Sequence, residues 1–162
     1  MQEQYPRWIV GRVREALADT PVVVVQGARQ TGKSTLTAEL AKESGATVVT
    51  LDDPEARLAA EADPESFIAG FGGGPVVLDE IQRAPQLILP IKAAVDRDRQ
   101  PGRFLLTGSA DLMRVPGAED SLAGRAETIR LRPLSQGEVG RRQDDFRTLG
   151  HVRRPLRARA GA

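Results

Sequence analysis

The chain contains no cysteine, no asparagine and a single histidine, and aromatic residues make up only 4% of its 162 positions. Each shortage removes a class of chemistry. Without cysteine there is no disulfide scaffold, no thiolate zinc site and no thiol nucleophile. The one histidine, His151, lies near the carboxyl end, so neither a histidine-based triad nor a multi-histidine metal site is expected in the main body. Without asparagine the N-K-x-D pattern that reads guanine cannot be written, which argues against a GTPase. No apolar run approaches about 18 residues and no basic-then-apolar signal opens the chain, so a soluble, cytoplasmic protein without a membrane partner is expected. The length predicts one domain, large enough to bury roughly 70% of its unfolded surface.

What is present is concentrated in Gly27 to Ser34, Gly-Ala-Arg-Gln-Thr-Gly-Lys-Ser, which fits G-x-x-x-x-G-K-[ST] at every fixed position. The β-branched run Val22 to Val25 before it reads as a buried strand, and Thr35 to Lys42 after it as a helix. That context gives the pattern its meaning. A loop between strand and helix aims successive backbone N–H groups at an anion, and the helix N-terminus adds about half a positive charge. Gly27, Ala28, Arg29, Gln30, Thr31, Gly32, Lys33, Ser34 and Thr35 are therefore the expected phosphate-binding residues. Lys33 is expected to reach the β- and γ-phosphates, and the Ser34 hydroxyl to ligate Mg²⁺.

A second strand, Ala46 to Leu51, ends in Asp52-Asp53-Pro54, and Asp63-Pro64 repeats the Asp-Pro device. Asp53 and Asp63 are expected as helix N-caps. Asp52 is left over at a strand end on the ligand-facing edge, where a role near water or magnesium is open. Pro75-Val-Val-Leu-Asp-Glu is the next strand, and it delivers Asp79 and Glu80 to the region of the phosphate loop, 46 residues after Lys33. Asp79 is expected to hold Mg²⁺ and Glu80 to polarise the water that attacks a γ-phosphate.

The pattern then predicts a helix from Pro85 to Arg97, with Arg83, Lys92, Arg97 and Arg99 on a solvated face. A fourth strand, Arg103 to Thr107, closes in Thr107-Gly-Ser109, where a hydroxyl is placed either to sense the γ-phosphate or simply to end the strand. Arg125 opens a fifth strand, Ala126 to Leu131, and is either a guanidinium offered to phosphates or a surface ion-pair residue. Leu112 to Asp120 is too short and too poor in arginine for the lid of a small-molecule kinase. ATP hydrolysis by an activated water fits these residues better.

The two ends of the chain carry weaker signals. Ile9, Val13 and Leu17 fall on one face of an opening helix, with Tyr5, Arg7 and Trp8 ahead of it either as packing residues or as stacking partners for adenine. Residues 141–162 hold seven arginines against Asp144 and Asp145, a net of +5, so residues 1–140 carry −4 of the overall +1. Ser135-Gln-Gly-Glu138 has capping-box form, but apolar periodicity fades near residue 140. Residues 1–140 are thus expected to form the domain, with 141–162 a basic, poorly ordered tail that offers a nucleic-acid contact as an alternative.

Six segments occur in order: Gly-Ala-Arg-Gln-Thr-Gly-Lys-Ser-Thr-Leu, Leu-Asp-Asp-Pro, Val-Val-Leu-Asp-Glu-Ile-Gln, Arg-Phe-Leu-Leu-Thr-Gly-Ser-Ala, Ser-Leu-Ala-Gly-Arg and Pro-Leu-Ser-Gln-Gly-Glu. Together they resemble the AAA-type ATPase domain of a large prokaryotic family of ATP-binding proteins. The resemblance implies an α/β P-loop NTPase sandwich, with a mainly parallel five-stranded sheet in the order 5-1-4-3-2 flanked by helices, binding ATP with Mg²⁺. It implies Lys33 and Ser34 as Walker A residues, Asp79 and Glu80 as Walker B residues, Ser109 or Thr107 as sensor, and Arg125 as arginine finger, in cis or from a homo-oligomer or partner domain. Family members usually continue into a second, C-terminal domain, so a truncated or out-of-frame tail from about Arg141 is expected here, with a truncated module that binds ATP without hydrolysing it as an alternative function.

Overall fold

The computed structural model describes residues 9–109 and 117–131. Their centre is a five-stranded parallel sheet: β1 (Val22–Gln26), β2 (Thr47–Thr50), β3 (Val76–Asp79), β4 (Phe104–Gly108) and β5 (Ala126–Arg130). The strand order is β2-β3-β4-β1-β5, the same order as the expected 5-1-4-3-2. The central strand β1 pairs with β4 and β5, and β3 pairs with β4 and β2.

The unbroken valine run of β1 follows from this position. A strand covered on both faces has no solvent side on which a polar residue would be favoured. Val22 and Val24 pack into a core shared with Leu78, Leu106 and Ile91, while Val23 and Val25 pack into the opposite core with Leu36 and Leu105. The helices α1 (Ile9–Asp19) and α2 (Lys33–Ser44) cover the second face. The first is covered by α3 (Pro54–Ala62), α4 (Pro64–Ala69), α5 (Ile88–Arg97) and α6 (Ala118–Leu122). Asp53 and Asp63 cap α3 and α4, accepting from the Glu55 and Ser66 N–H groups at 3.1 and 3.0 Å. The Ser66 hydroxyl first, and its N–H second, hold the Asp63 carboxyl below its ordinary pKa.

Strand ends shift by a residue from the sequence pattern, and three further boundary differences bear on the site, each with a local cause. α2 starts at Lys33 rather than Thr35, so Lys33 and Ser34 sit in its first turn. β3 ends at Asp79 because Glu80 turns left-handed, with φ 58°. The helix expected from Pro85 begins only at Ile88: Ala84, at φ −137° and ψ 63°, separates two 3₁₀ turns, Ile81–Arg83 and Pro85–Leu87, that precede it. The capping box at 135–138, the basic tail, and Tyr5, Arg7 and Trp8 lie outside the described residues.

Candidate functional site

The carboxyl ends of β1, β3 and β4 converge on one edge of the sheet, and the phosphate loop leaves from the middle of it. Gly27 donates its N–H to the Gly108 carbonyl at 3.2 Å, fastening the loop to β4. A Cβ at Gly27 would lie 2.7 Å from both the Leu131 carbonyl and the Thr31 hydroxyl, so the position requires glycine. At the other end Gly32 enters α2 with φ 82°. Thr31 is buried and donates to the Ala28 carbonyl at 2.8 Å, bracing the loop from within. Lys33 is also buried, and its ammonium donates to the Gly27 and Ala28 carbonyls at 2.9 and 3.0 Å. An ammonium carries three N–H donors, so one is left for an anion cradled in the loop.

Asp79 is the hub across from the loop. One carboxylate oxygen accepts from the Ser34 hydroxyl at 3.2 Å, and the other accepts from Thr107. The Thr107 hydroxyl in turn accepts the Glu80 N–H at 3.1 Å. Thr107 is completely buried, so its hydroxyl is committed to fixing Asp79 and Glu80. Ser109, two residues on, lines the open cleft instead. Gln82 donates its side-chain amide to the Glu80 carboxylate, a contact with no signal in the sequence beyond a polar residue shortly after Asp-Glu.

Gln30 and Glu80, both at this edge, are the non-glycine residues with positive φ among the described residues, at 64° and 58°. Such conformations cost of order 1–3 kcal/mol each and persist where the surroundings over-determine them. Fully buried core side chains such as Leu78 and Leu106, worth about 1.5–3 kcal/mol apiece, are of the size needed to offset that cost at the strand tips that carry the site.

The resulting cleft has a volume of about 590 Å³. Arg29, Gln30, Gly32, Lys33, Ser34 and Thr35 line one side, and Asp52, Glu80, Gln82, Arg83 and Ser109 the other. Arg83, expected on a solvated helix face, instead sits on the 3₁₀ turn after Glu80 and pairs with Asp52 across the mouth. The Ser34 hydroxyl and Asp79 carboxylate, adjacent hard oxygen donors beside a phosphate loop, suit Mg²⁺, which takes few protein ligands and completes its shell with phosphate and water.

Residues 19–140 match the family model described as "AAA domain". The chain belongs to that family. It is an AAA-type P-loop ATPase domain, and a nucleotide-binding, ATPase-like function in general comes with that membership. Two relatives, the uncharacterized proteins Mb2031c of Mycobacterium bovis and Rv2008c of Mycobacterium tuberculosis, are each 39% identical over 131 residues. That segment is 80% of this chain but 29% of theirs, so the chain spans less than a third of the relatives' length. The Walker-type ATPase PABY2304 of Pyrococcus abyssi aligns over 83% of this chain and 55% of its own, at 16% identity and a TM-score of 0.57. A DNA replication initiation factor aligns over 76% of this chain and 44% of its own, at 15% identity and a TM-score of 0.51. These two show the fold.

In this AAA domain Arg125 stands apart from the other residues singled out in the sequence. It precedes β5, and Val22 pairs with Ala126 at the start of the β1–β5 ladder while Gln26 pairs with Arg130 at its end. Arg125 is therefore at the amino edge of the sheet, roughly 16 Å of strand away from the loop that leaves β1. There its guanidinium grips both carboxylate oxygens of Asp96, at 2.6 and 3.1 Å, and the Ala123 carbonyl at 3.0 Å. This pairing holds the Asp96 carboxyl below its ordinary value and raises Arg125 above its own. Within one chain the Arg125 guanidinium and the cleft thus lie at opposite edges of the sheet; reach in trans would require the amino edge of one chain to face the cleft of another. Among the described residues no helix is long and apolar enough to cross a membrane.

Proposed function

We propose that this AAA domain binds ATP with Mg²⁺ and hydrolyses it at the carboxyl edge of the sheet, and that hydrolysis is coupled to a conformational change in a partner or further domain. The observation that carries the reading is the bridge from Ser34 to Asp79 to Thr107 to the Glu80 backbone, which ties the first turn of α2 to the tips of β3 and β4. In it each residue type meets the demand of phosphoryl transfer to water, where positioning and charge stabilisation supply most of the rate. The loop N–H groups and Lys33 receive the phosphate oxygens. Ser34 and Asp79 would hold Mg²⁺, which would neutralise the charge on the β- and γ-phosphates.

Glu80 acts on the water. Its backbone is fixed by Thr107 and its carboxylate is oriented by Gln82, so the base is aimed before substrate arrives. Ser109 at the cleft wall is the hydroxyl placed to follow the γ-phosphate. Coupling to a further domain is supported by the relatives, whose chains extend well beyond the matched segment.

Calorimetric titration of ATP into wild type and Lys33→Ala, with and without Mg²⁺, tests this reading. Mg²⁺-dependent binding by wild type that is lost in Lys33→Ala is expected. Equal binding by the two proteins would overturn it.

A further inference from the structure

Resting on the ATPase reading above, the geometry points to Arg83 as the cationic ligand that this chain itself supplies to the terminal phosphate, with Asp52 as the residue that holds its guanidinium in place. Both line the cleft, and they reach it from neighbouring strands. Asp52 follows β2 and Arg83 follows β3; these strands run in parallel register, with Thr50 opposite Asp79 and the Leu51 N–H donating to the Asp79 carbonyl at 2.9 Å.

The backbone of Arg83 is anchored. The left-handed Glu80 turns the chain out of β3, Arg83 donates its N–H to the Glu80 carbonyl at 3.0 Å, and the completely buried Ile81 pins the turn to the core. Only the side chain remains free to move. It is 42% exposed and its partner Asp52 is 56% exposed. An ion pair this open to water is weak, so the guanidinium can pivot on Asp52 and take a second partner at little cost.

The Ser34–Asp79 contact shows which end of a nucleotide Arg83 faces. It places the tip of β3 against the first turn of α2, where Lys33 and Ser34 meet the terminal phosphates of a bound triphosphate. The residues that follow β3 therefore border the terminal phosphate rather than the base. Three carboxylates, Asp52, Asp79 and Glu80, converge on this end. Asp79 is engaged by Ser34 and Thr107, and Glu80 by Gln82. Asp52 is paired with Arg83, so at this wall of the cleft a polyanion meets a guanidinium rather than a bare carboxylate. A planar guanidinium can bond a carboxylate and a phosphate oxygen at once, which a lysine cannot match.

The test is a pair of calorimetric titrations, ATP and ADP with Mg²⁺, into the 162-residue wild type, Arg83→Ala, Arg83→Lys and the surface-charge control Arg97→Ala, each first checked for an unchanged melting curve. Arg83→Ala should weaken ATP binding about tenfold or more while moving ADP by less than about threefold, Arg83→Lys should fall between, and Arg97→Ala should match wild type. An unchanged ratio of ATP to ADP affinity in Arg83→Ala overturns the assignment of Arg83 and leaves the ATPase reading standing. Should Arg83→Ala melt early, Arg83→Lys decides: a wild-type ratio overturns the assignment, and a lowered one supports it. Wild type that binds neither nucleotide overturns both.

Discussion

Arg83 and Arg125 look alike in the sequence, each an arginine beside a strand, and each pairs with an aspartate in the fold. They differ in which side of the strand they occupy. Arg83 follows β3 and so lies at the carboxyl edge of the sheet, in the wall of the cleft. Arg125 precedes β5 and so lies at the amino edge, gripping Asp96 with two hydrogen bonds. A parallel sheet sorts residues in this way because every strand points in the same direction, and ligands of open α/β sheets gather beyond the carboxyl ends.

The cavities repeat the contrast. The carboxyl edge holds Lys33, Glu80, Arg29 and the Asp52–Arg83 pair around one cleft. At the amino edge a smaller cavity of about 290 Å³ is bounded by Leu17, Leu40, Pro75 and Leu105, and its one charged residue, Arg103, is engaged with the carbonyls of Ala94, Asp98 and Gly72. Positive-φ strain is at the first edge, where Gln30 and Glu80 lie; the polar groups of Arg125 and Asp96 at the second satisfy each other.

Substitutions at the two edges should have unequal effects. The largest effect is expected from Lys33→Ala, which removes the buried ammonium from the loop and should abolish ATP binding in a calorimetric titration. Next is Thr107→Val, which orphans the Glu80 N–H and one Asp79 oxygen. It should cost about 1–3 kcal/mol in denaturant unfolding and lower hydrolysis with it, since a buried group left unpaired bears its full desolvation cost. A Thr107→Val protein with wild-type turnover would show that the bridge does not aim Glu80.

The smallest effects belong to the amino edge. Arg125→Ala should leave turnover per chain unchanged in dilute protein, measured by phosphate release; loss of a rate that rises with protein concentration in wild type would instead reveal action in trans. The Arg125–Asp96 pair should register in the acid limb of unfolding. Asp96 has its pKa depressed in the fold, so its contribution is present above the ordinary aspartate value of 3.8 and is lost as pH falls through the folded value. Thermal melts of wild type and Asp96→Asn should differ slightly near neutral pH and converge in strong acid.

Much of this was legible in the residues. The valine run before Gly27, the apolar strand ending in Asp79-Glu80, and the Asp-Pro starts of α3 and α4 are local patterns, and local patterns survive into the fold. The positions of Arg83 and Arg125 were not legible in the same way. Pro85 and the apolar residues beyond it read as one helix that would carry Arg83 on its outer face, yet the left-handed Glu80 and the break at Ala84 turn Arg83 into the cleft. The break at Ala84 has its signal in Pro85, which disfavours a helical conformation in the residue before it, whereas the left-handed Glu80 has no glycine to announce it. Thr107 and Ser109 are equivalent hydroxyls on paper; only the depth of burial separates the one tied to Asp79 from the one facing the cleft.

The central claim, that the carboxyl edge hydrolyses the ATP it binds, is met most directly by measuring ATP binding and phosphate release on the same preparations of wild type and Glu80→Gln. Both proteins should bind ATP with Mg²⁺, and release should fall by about 10²-fold or more in Glu80→Gln. Equal release from the two proteins, or binding with no release from wild type, would contradict it.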